Sequence, residues 1–450
     1  MNKSYELVRG IYSTPQPNKE ILLTEEPIEI KHRDLKADGT AKVIIRLLPK
    51  PRLLIDIKLQ KFPFHLIELM KEKSVLVFTS HGESIEVFVT TIAGGTKGYR
   101  IIAIPFKEPI IFSTSSNSTK IVFHLLNFPN FLGSQKVVET IDGKPYPRDR
   151  VILEYNDWQI IINAVTNYNE LDKIFGLLKR EGGFFITHVG VIKKSDGKSF
   201  KISEASKILD ALDYYLSFCT GYFTSTLLAV GFNKKNKRVW ERWGVRWADP
   251  WQSVFSWFDH HNGKLLSEVF PGFYTLWKNE IWKKPIENAI YWYLKSNTQS
   301  GGTDGSIVLA QAALELLSWV LLTEGKKALS SEGFKLLHAD DLIRLLLASQ
   351  DIKLEVPSAL NILSKLAKEQ NWDGPKAIAE VRNFIIHPGK SKKKKRLASY
   401  DIPYGEVLNL ALWYIELVLL HLIGHTGVYA DRLKSGRFKG QVTSVPWVTK

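Results

Sequence analysis

A single cysteine, Cys219, stands in 450 residues. One thiol permits no internal disulfide and no thiolate metal cage. It lies in the aromatic stretch Tyr214 to Phe223, where a thiol packs as a small apolar side chain rather than serving as a nucleophile. Such sparing cysteine use suits a reducing compartment, and a cytoplasmic protein is expected. The segment Met1 to Gly10 lacks the apolar core of a signal peptide. The longest apolar run, Val407 to Ile423, is interrupted by Asn409, Glu416 and His421. These side chains are costly in lipid, so the run reads as a buried helix and no membrane partner is expected. Other chemistries are missing their residues. Gly182-Gly183 and Gly301-Gly302 lack the neighbours of a phosphate loop, and no GxSxG string or kinase set is present. His421 and His425 have a zinc-compatible spacing but no evident third ligand, and His260-His261 beside Asp259 is no better. No metal and no cofactor are expected.

What the chain does have is positive charge and aromatic residues. Lysine and arginine number 61 against 46 acidic residues, giving a formal net charge of +15. That excess favours phosphate-bearing partners through long-range attraction and counterion release. Aromatic residues are 12% of the sequence, which excludes disorder as its main state. The length suggests two or three domains.

The organisation reads as α+β. Short runs rich in Val, Ile and Phe, from Ile21 to Leu126, alternate with turn residues such as Asp38-Gly39 and Gly94-Gly95. They predict strands of a β-sandwich-like N-terminal domain. Val151 to Val165 and Gly183 to Lys193 extend it, with a helix from Asn169 to Arg180 between them. Residues 1–200 form this strand-rich sensor or regulatory domain. Residues 201–300 read as a helical connecting region rich in tryptophan (Trp240, Trp243, Trp247, Trp251, Trp257, Trp277, Trp282, Trp292). Those rings suit packing. Beside Lys234, Lys235, Lys237, Arg238, Arg242 and Arg246 they also suit base stacking. The polar, Gly-rich Ser296 to Ser306 reads as a linker. Beyond it, residues 301–427 predict a four-helix domain, with helices over Ile307–Thr323, Asp340–Ser349, Pro357–His387 (broken near Asn371–Gly374) and Ile402–Gly424. Residues 428–450 are a basic tail.

The informative string is Glu380-Val381-Arg382-Asn383-Phe384-Ile385-Ile386-His387-Pro388-Gly389. Pro388 disfavours helical geometry at the residue before it, so the helix should end near His387. Asn383 and His387, four apart, share a helix face, and the long guanidinium of Arg382 reaches the same space. Metal-free RNA cleavage needs an acid and a base at the 2′-hydroxyl and the leaving oxygen, and a fixed cation at the phosphate. Histidine titrates in the useful range, and arginine grips phosphate oxygens with a planar fork. A cationic run follows: Lys390, Lys392, Lys393, Lys394, Lys395 and Arg396. It would gather RNA. Glu315, in the first of the four helices, could orient Arg382 or His387, or simply pair with Gln311 four residues earlier. Arg382 and Asn383 could instead cap the bundle and pair with Glu380 or Glu315.

Arg382, Asn383 and His387 resemble the ribonuclease motif of the HEPN superfamily, placed on the third of four predicted helices. The layout looks like Apea-like HEPN proteins, and FHLLNFPNF (Phe123 to Phe131), ITHVG (Ile186 to Gly190) and ALELLSW (Ala313 to Trp319) look like a bacterial family of that design. The resemblance implies a metal-independent endoribonuclease acting on tRNA or mRNA as a toxin or phage-defence effector. It also implies a homodimer, or a larger homo-oligomer, that joins two motifs into one site. A phage-derived protein is the implied trigger. The alternative is a non-catalytic HEPN module that binds RNA, a nucleotide or a partner protein.

Overall fold

Alternation of apolar and polar side chains governs the first hundred residues. The computed structural model describes residues 7–62, 64–79, 83–95, 98–141, 144–387, 401–434, 438 and 441–448. Strands β1 (Ile21–His32), β2 (Leu35–Arg46) and β3 (Arg52–Leu59) run as an antiparallel meander. A short helix α1 (Leu66–Lys71) leads to β4 (Ser74–Phe78), β5 (Ser84–Gly95) and β6 (Gly98–Pro105). β3 pairs with β6 and β1 with β4, so the six strands close into a barrel. This replaces the expected sandwich. Closure leaves no unpaired edge, and Ile30, Val43, Ile55, Leu76, Val87 and Ile101 fill the interior.

The next strands build a single eight-stranded sheet. The chain passes through β7 (Ile110–Ser113), the two-residue β8 (Asn117–Ser118), β9 (Lys120–Leu126), β10 (Gln135–Ile141), β11 (Lys144–Tyr155) and β12 (Trp158–Ala164). Helix α2 (Tyr168–Glu181) precedes β13 (Ile186–Lys194). The two-residue β14 (Phe200–Lys201) and helix α3 (Ile202–Thr220) precede β15 (Thr226–Phe232) and β16 (Arg238–Trp243). The sheet order is β10-β11-β12-β13-β9-β15-β16-β7. β12 and β15 are buried at every position, as strands covered on both faces must be. Val122, Ile161 and Val191 face the barrel core, while Ile121, Ile160 and Ile192 face the helices. The sheet is therefore a wall shared by two cores. Two of its strands come from the stretch expected to be a helical connector. Trp240 and Trp243, an odd number of residues apart on β16, point to opposite faces and join opposite cores.

The rest is helical: α4 (Lys264–Lys278), α5 (Glu280–Asn297), α6 (Gly302–Trp319), α7 (Ser331–Leu336), α8 (Ala339–Ala348), α9 (Asn361–Gln370), α10 (Gly374–Ile386) and α11 (Tyr404–Leu422). A π-helical turn, Val320–Gly325, continues α6, and a small ribbon of β17 (Val428–Tyr429) and β18 (Thr443–Ser444) ends the chain. α6 packs on α5, α8, α10 and α11. The Gly-rich stretch expected to be a linker is a tight turn: α5 ends at Asn297, α6 begins at Gly302, and the apolar core runs through both. Gly302–Gly325 and Tyr404–Leu422 are long and apolar enough to cross a membrane by length and composition, but 61% and 72% of their apolar windows are buried in the protein.

Two histidines lie inside the sheet. His124 and His188 are wholly buried, and burial lowers their pKa from 6.5 to about 4 and about 3. Below pH 6.5 the unfolded chain takes protons that these folded rings refuse, so acid favours unfolding. Asp213 acts oppositely. Burial raises it to about 6 against the hydrogen bonds from Thr226, so it keeps a proton that the unfolded chain releases, and it gains stability as pH falls through 6 toward 3.8. The histidines outnumber it. Each is expected to cost about 1.4 kcal/mol per pH unit below 6.5, with Asp213 offsetting about one of them below pH 6. Urea midpoints at pH 7, 6 and 5 should fall in the wild type and fall less steeply in His188→Phe. Parallel slopes would refute the assignment.

Candidate functional site

The expected site lies on α10, and the helix start is fixed by sequence. Asn371 ends α9 in a left-handed conformation (φ 56°), Asp373 accepts the Lys376 amide at 2.8 Å, and Pro375 occupies the first turn. That is a strong N-terminal signal. Arg344 of α8 reinforces it, donating to Asp373 at 2.6 Å and pairing with Asp341 and Asp340. The hydrogen bond to Asp373 pushes the Arg344 pKa up, against its partial burial. Lys376 bridges Asp340 at 3.0 Å and Glu380 at 3.4 Å. Gly374 is pressed onto α11, where an added Cβ would fall 2.1 Å from the Tyr414 hydroxyl and 3.0 Å from the Leu354 carbonyl. Gly374→Ala should cost about 1–3 kcal/mol as an overpacking change, read as a lower urea midpoint. An unchanged midpoint would show that α10 does not need this contact.

Ala377, Ile378 and Val381 bury one face of α10. The other face carries the motif in the last turn. Arg382 is partly buried, with its Nε buried and without a hydrogen-bond partner, while its Nη1 donates to Asn383 Oδ1 at 3.1 Å. Asn383 and His387 are exposed. The His387 amide closes the final turn on the Asn383 carbonyl at 3.0 Å, and its own backbone (φ −127°, ψ 72°) leaves the helix. The helix therefore ends where Pro388 demanded, with a cation, an amide and an imidazole within six residues of sequence. Glu315 is partly buried on α6 and takes a hydrogen bond of 2.7 Å from Gln311, the pairing weighed from the sequence. Glu380 reaches Lys376. The cationic run Lys390, Lys392 to Lys395 and Arg396 lies outside the described residues.

Among the other sequence candidates, Cys219 is buried and its thiol pKa is pushed well up by burial. Trp240, Trp243, Trp257, Trp277 and Trp282 are core residues. Trp247 is 51% exposed and leans on Phe223 and Tyr291. Arg238 pairs with Glu241, and Arg242 and Arg246 pair with Asp210. Trp251 leans on Phe175 and Trp292 packs on the helical core, which leaves Trp247 as the exposed ring of the expected stacking surface. His421 lies against the Trp447 ring, and His425 contacts the Val428 carbonyl. Sequence reasoning placed the break before α10 but missed Arg344, which holds the Asp373 cap from α8. It also missed Arg432, which had no local signal.

Comparison with known proteins finds one family along most of the chain. The YopA central domain profile matches residues 113–254, and the YopA C-terminal domain profile matches residues 279–444. The SPbeta prophage-derived uncharacterized protein YopA of Bacillus subtilis (strain 168) is 30% identical over 416 residues, covering 91% of each chain. The chain belongs to the YopA family. No solved structure matches it.

Proposed function

We propose that the chain is a metal-independent endoribonuclease of the HEPN type. The observation that carries this reading is the placement of Arg382, Asn383 and His387 at the C-terminal end of α10, with Asn383 and His387 exposed. Helices α6, α8, α10 and α11 would be the four HEPN helices. In the reaction the ribose 2′-hydroxyl attacks the neighbouring phosphorus and the bond to the 5′-oxygen breaks. The products are a 2′,3′-cyclic phosphate and a 5′-hydroxyl. His387 moves a proton at one of these oxygens. Arg382 holds the charge on the phosphate, and Asn383, already bonded to Arg382, aims it. Glu315, whose Oε1 accepts from Gln311, would orient Arg382 or His387 through its other oxygen.

The substrate is RNA, tRNA or mRNA, in the cytoplasm, and the net charge of +15 supports that choice. Two copies would pair through the helical region to complete the site. The relative's prophage origin fits a role in conflict between phages and their hosts. The barrel and sheet would then restrain the nuclease until a phage-derived protein arrives. A second reading, a non-catalytic binding module, is favoured by the Arg382 Nε, which is buried without a hydrogen-bond partner and so is not presented to a phosphate.

The test is incubation of the purified protein with total tRNA and a long single-stranded RNA in EDTA. Fragments ending in cyclic phosphate support the nuclease. RNA left intact by folded protein, even with extract from phage-infected cells, favours the binding module.

A further inference from the structure

A pocket of about 640 Å³ lies over the helix-side face of the sheet at its β16–β7 end. Its floor includes Arg242 of β16 and Ile111 of β7, which stand directly opposite each other. Asp210 of α3 lines one side, and Glu108-Pro109 and Gly244 to Arg246 line the rest. Arg246 is already engaged: its Nη1 donates to Asp210 Oδ1 at 3.0 Å and stands 3.6 Å from the buried Asp213 Oδ2.

One group of each sign is left with capacity to spare. The Arg242 side chain is 16% exposed and stands 3.6 Å from Asp210 Oδ1, the oxygen that holds Arg246. Its guanidinium makes no hydrogen bond among the described residues, so its planar fork is unused. Glu108 is the opposite case. It is exposed at the pocket wall, yet partial desolvation raises its pKa. Only the backbone amides of Leu53 and Val245 pull the other way, and no cation among the described residues offsets its charge. Glu108 lies three residues before Ile111, the partner of Arg242, a span of at most about 10 Å along the chain. Ile111, 56% exposed, offers apolar surface beside both. Apolar walls with a few placed polar groups are the make-up of small-molecule sites. We propose that this pocket binds a small zwitterion with an apolar body, an α-amino acid or a peptide of up to about three residues. Its carboxylate takes the Arg242 fork, its ammonium lies on Glu108, and its body rests on Ile111. The site shares no residue with the α10 motif and does not depend on the ribonuclease reading.

The experiment is calorimetric titration of the full chain with leucine, alanyl-leucine and alanyl-leucyl-alanine. At least one is expected to bind at one site per chain, and the tightest of them sets the spacing of the two ends. N-acetylation and C-amidation of that ligand should each weaken it at least about tenfold, the worth of a charged hydrogen bond. Glu108→Gln should weaken the zwitterion by a similar factor and leave the affinity of the N-acetyl form, which has no ammonium, unchanged. Arg242→Gln should do the same with respect to the C-amide. Both unliganded variants should keep the wild-type melting temperature. If Arg242→Gln does not fold, Glu108→Gln, which keeps the shape of its side chain, carries the test. No binding of any of the three zwitterions, capped forms that bind as tightly as the free one, or undiminished binding in a folded variant overturns the proposal.

Discussion

Replacing His387 by alanine is expected to lower the rate of RNA cleavage by ~10²–10⁴, the usual contribution of a general acid or base. The fold should survive. His387 is exposed and lies just past the last residue of α10, and its backbone amide closes the helix end, an interaction that alanine preserves. A loss of rate can therefore be read as chemistry, provided the urea midpoint is unchanged. Arg382→Lys should also be slow, because an ammonium cannot reproduce the planar fork. Asn383→Ala should be slowed less, since it removes an aiming contact and leaves the charge. Because the assay contains EDTA, contaminating metal nucleases are silent. Cleavage by His387→Ala at the wild-type rate would sink the proposed site, whatever the fate of the other two variants.

The largest stability effect is expected at Arg432. This guanidinium is 2% exposed and meets Glu416, which is fully buried in the middle of α11. Nε and Nη2 donate to the two carboxylate oxygens at 3.0 and 2.6 Å. Tyr293 of α5 adds its hydroxyl to Glu416 at 2.6 Å. Arg432 Nη2 reaches Asn297 Oδ1 at 3.0 Å, and the Asn297 amide group donates to the carbonyls of Gly221 and Phe255. One cluster thus ties the chain after α11 to α5, to the end of α3 and to the loop before α4. Burial works against the charged guanidinium, but Glu416 holds it charged and drives its pKa upward. Removing one partner of such a pair strands the other charge away from water, typically at a cost of about 3–5 kcal/mol. Arg432→Met should lower stability by about that amount, and Tyr293→Phe by about 1 kcal/mol for one lost hydrogen bond. Arg432→Met with an unchanged denaturation midpoint would show that the cluster is incidental.

Periodicity made much of this molecule legible. Strands such as β3 and β6 and helices such as α2 and α8 lie close to where side-chain pattern put them. So does the break between α9 and α10 and the end of α10 at His387, because proline and asparagine act locally. What sequence could not show was partnership. Whether a row of strands becomes a sandwich or a barrel depends on β1 finding β4. The segment 238–243 was hidden by its tryptophans, which suit helix and strand alike, and 226–232 by an unbroken apolar run without alternation. α4 and α5 lie in the stretch read as helical, with Pro271 and Pro285 inside them. In the candidate site, the motif was visible as a string, while its setting was not: the Arg344 hub comes from α8, and Glu315 turned to its own helix.

The shared sheet also sets a timetable for the nascent chain. The barrel has all its partners once β6 has left the ribosome. β7 does not, because its neighbour is β16, and Thr114 bonds Val239 across 125 positions of sequence. At ordinary rates of synthesis that is a wait on the order of ten seconds. For the first part of it β9 has neither neighbour, and once β13 is made its other edge still waits for β15. A cell making this protein must shield that interval, and slowing translation between β9 and β15 should raise the aggregated share of the product more than the same delay inside the barrel.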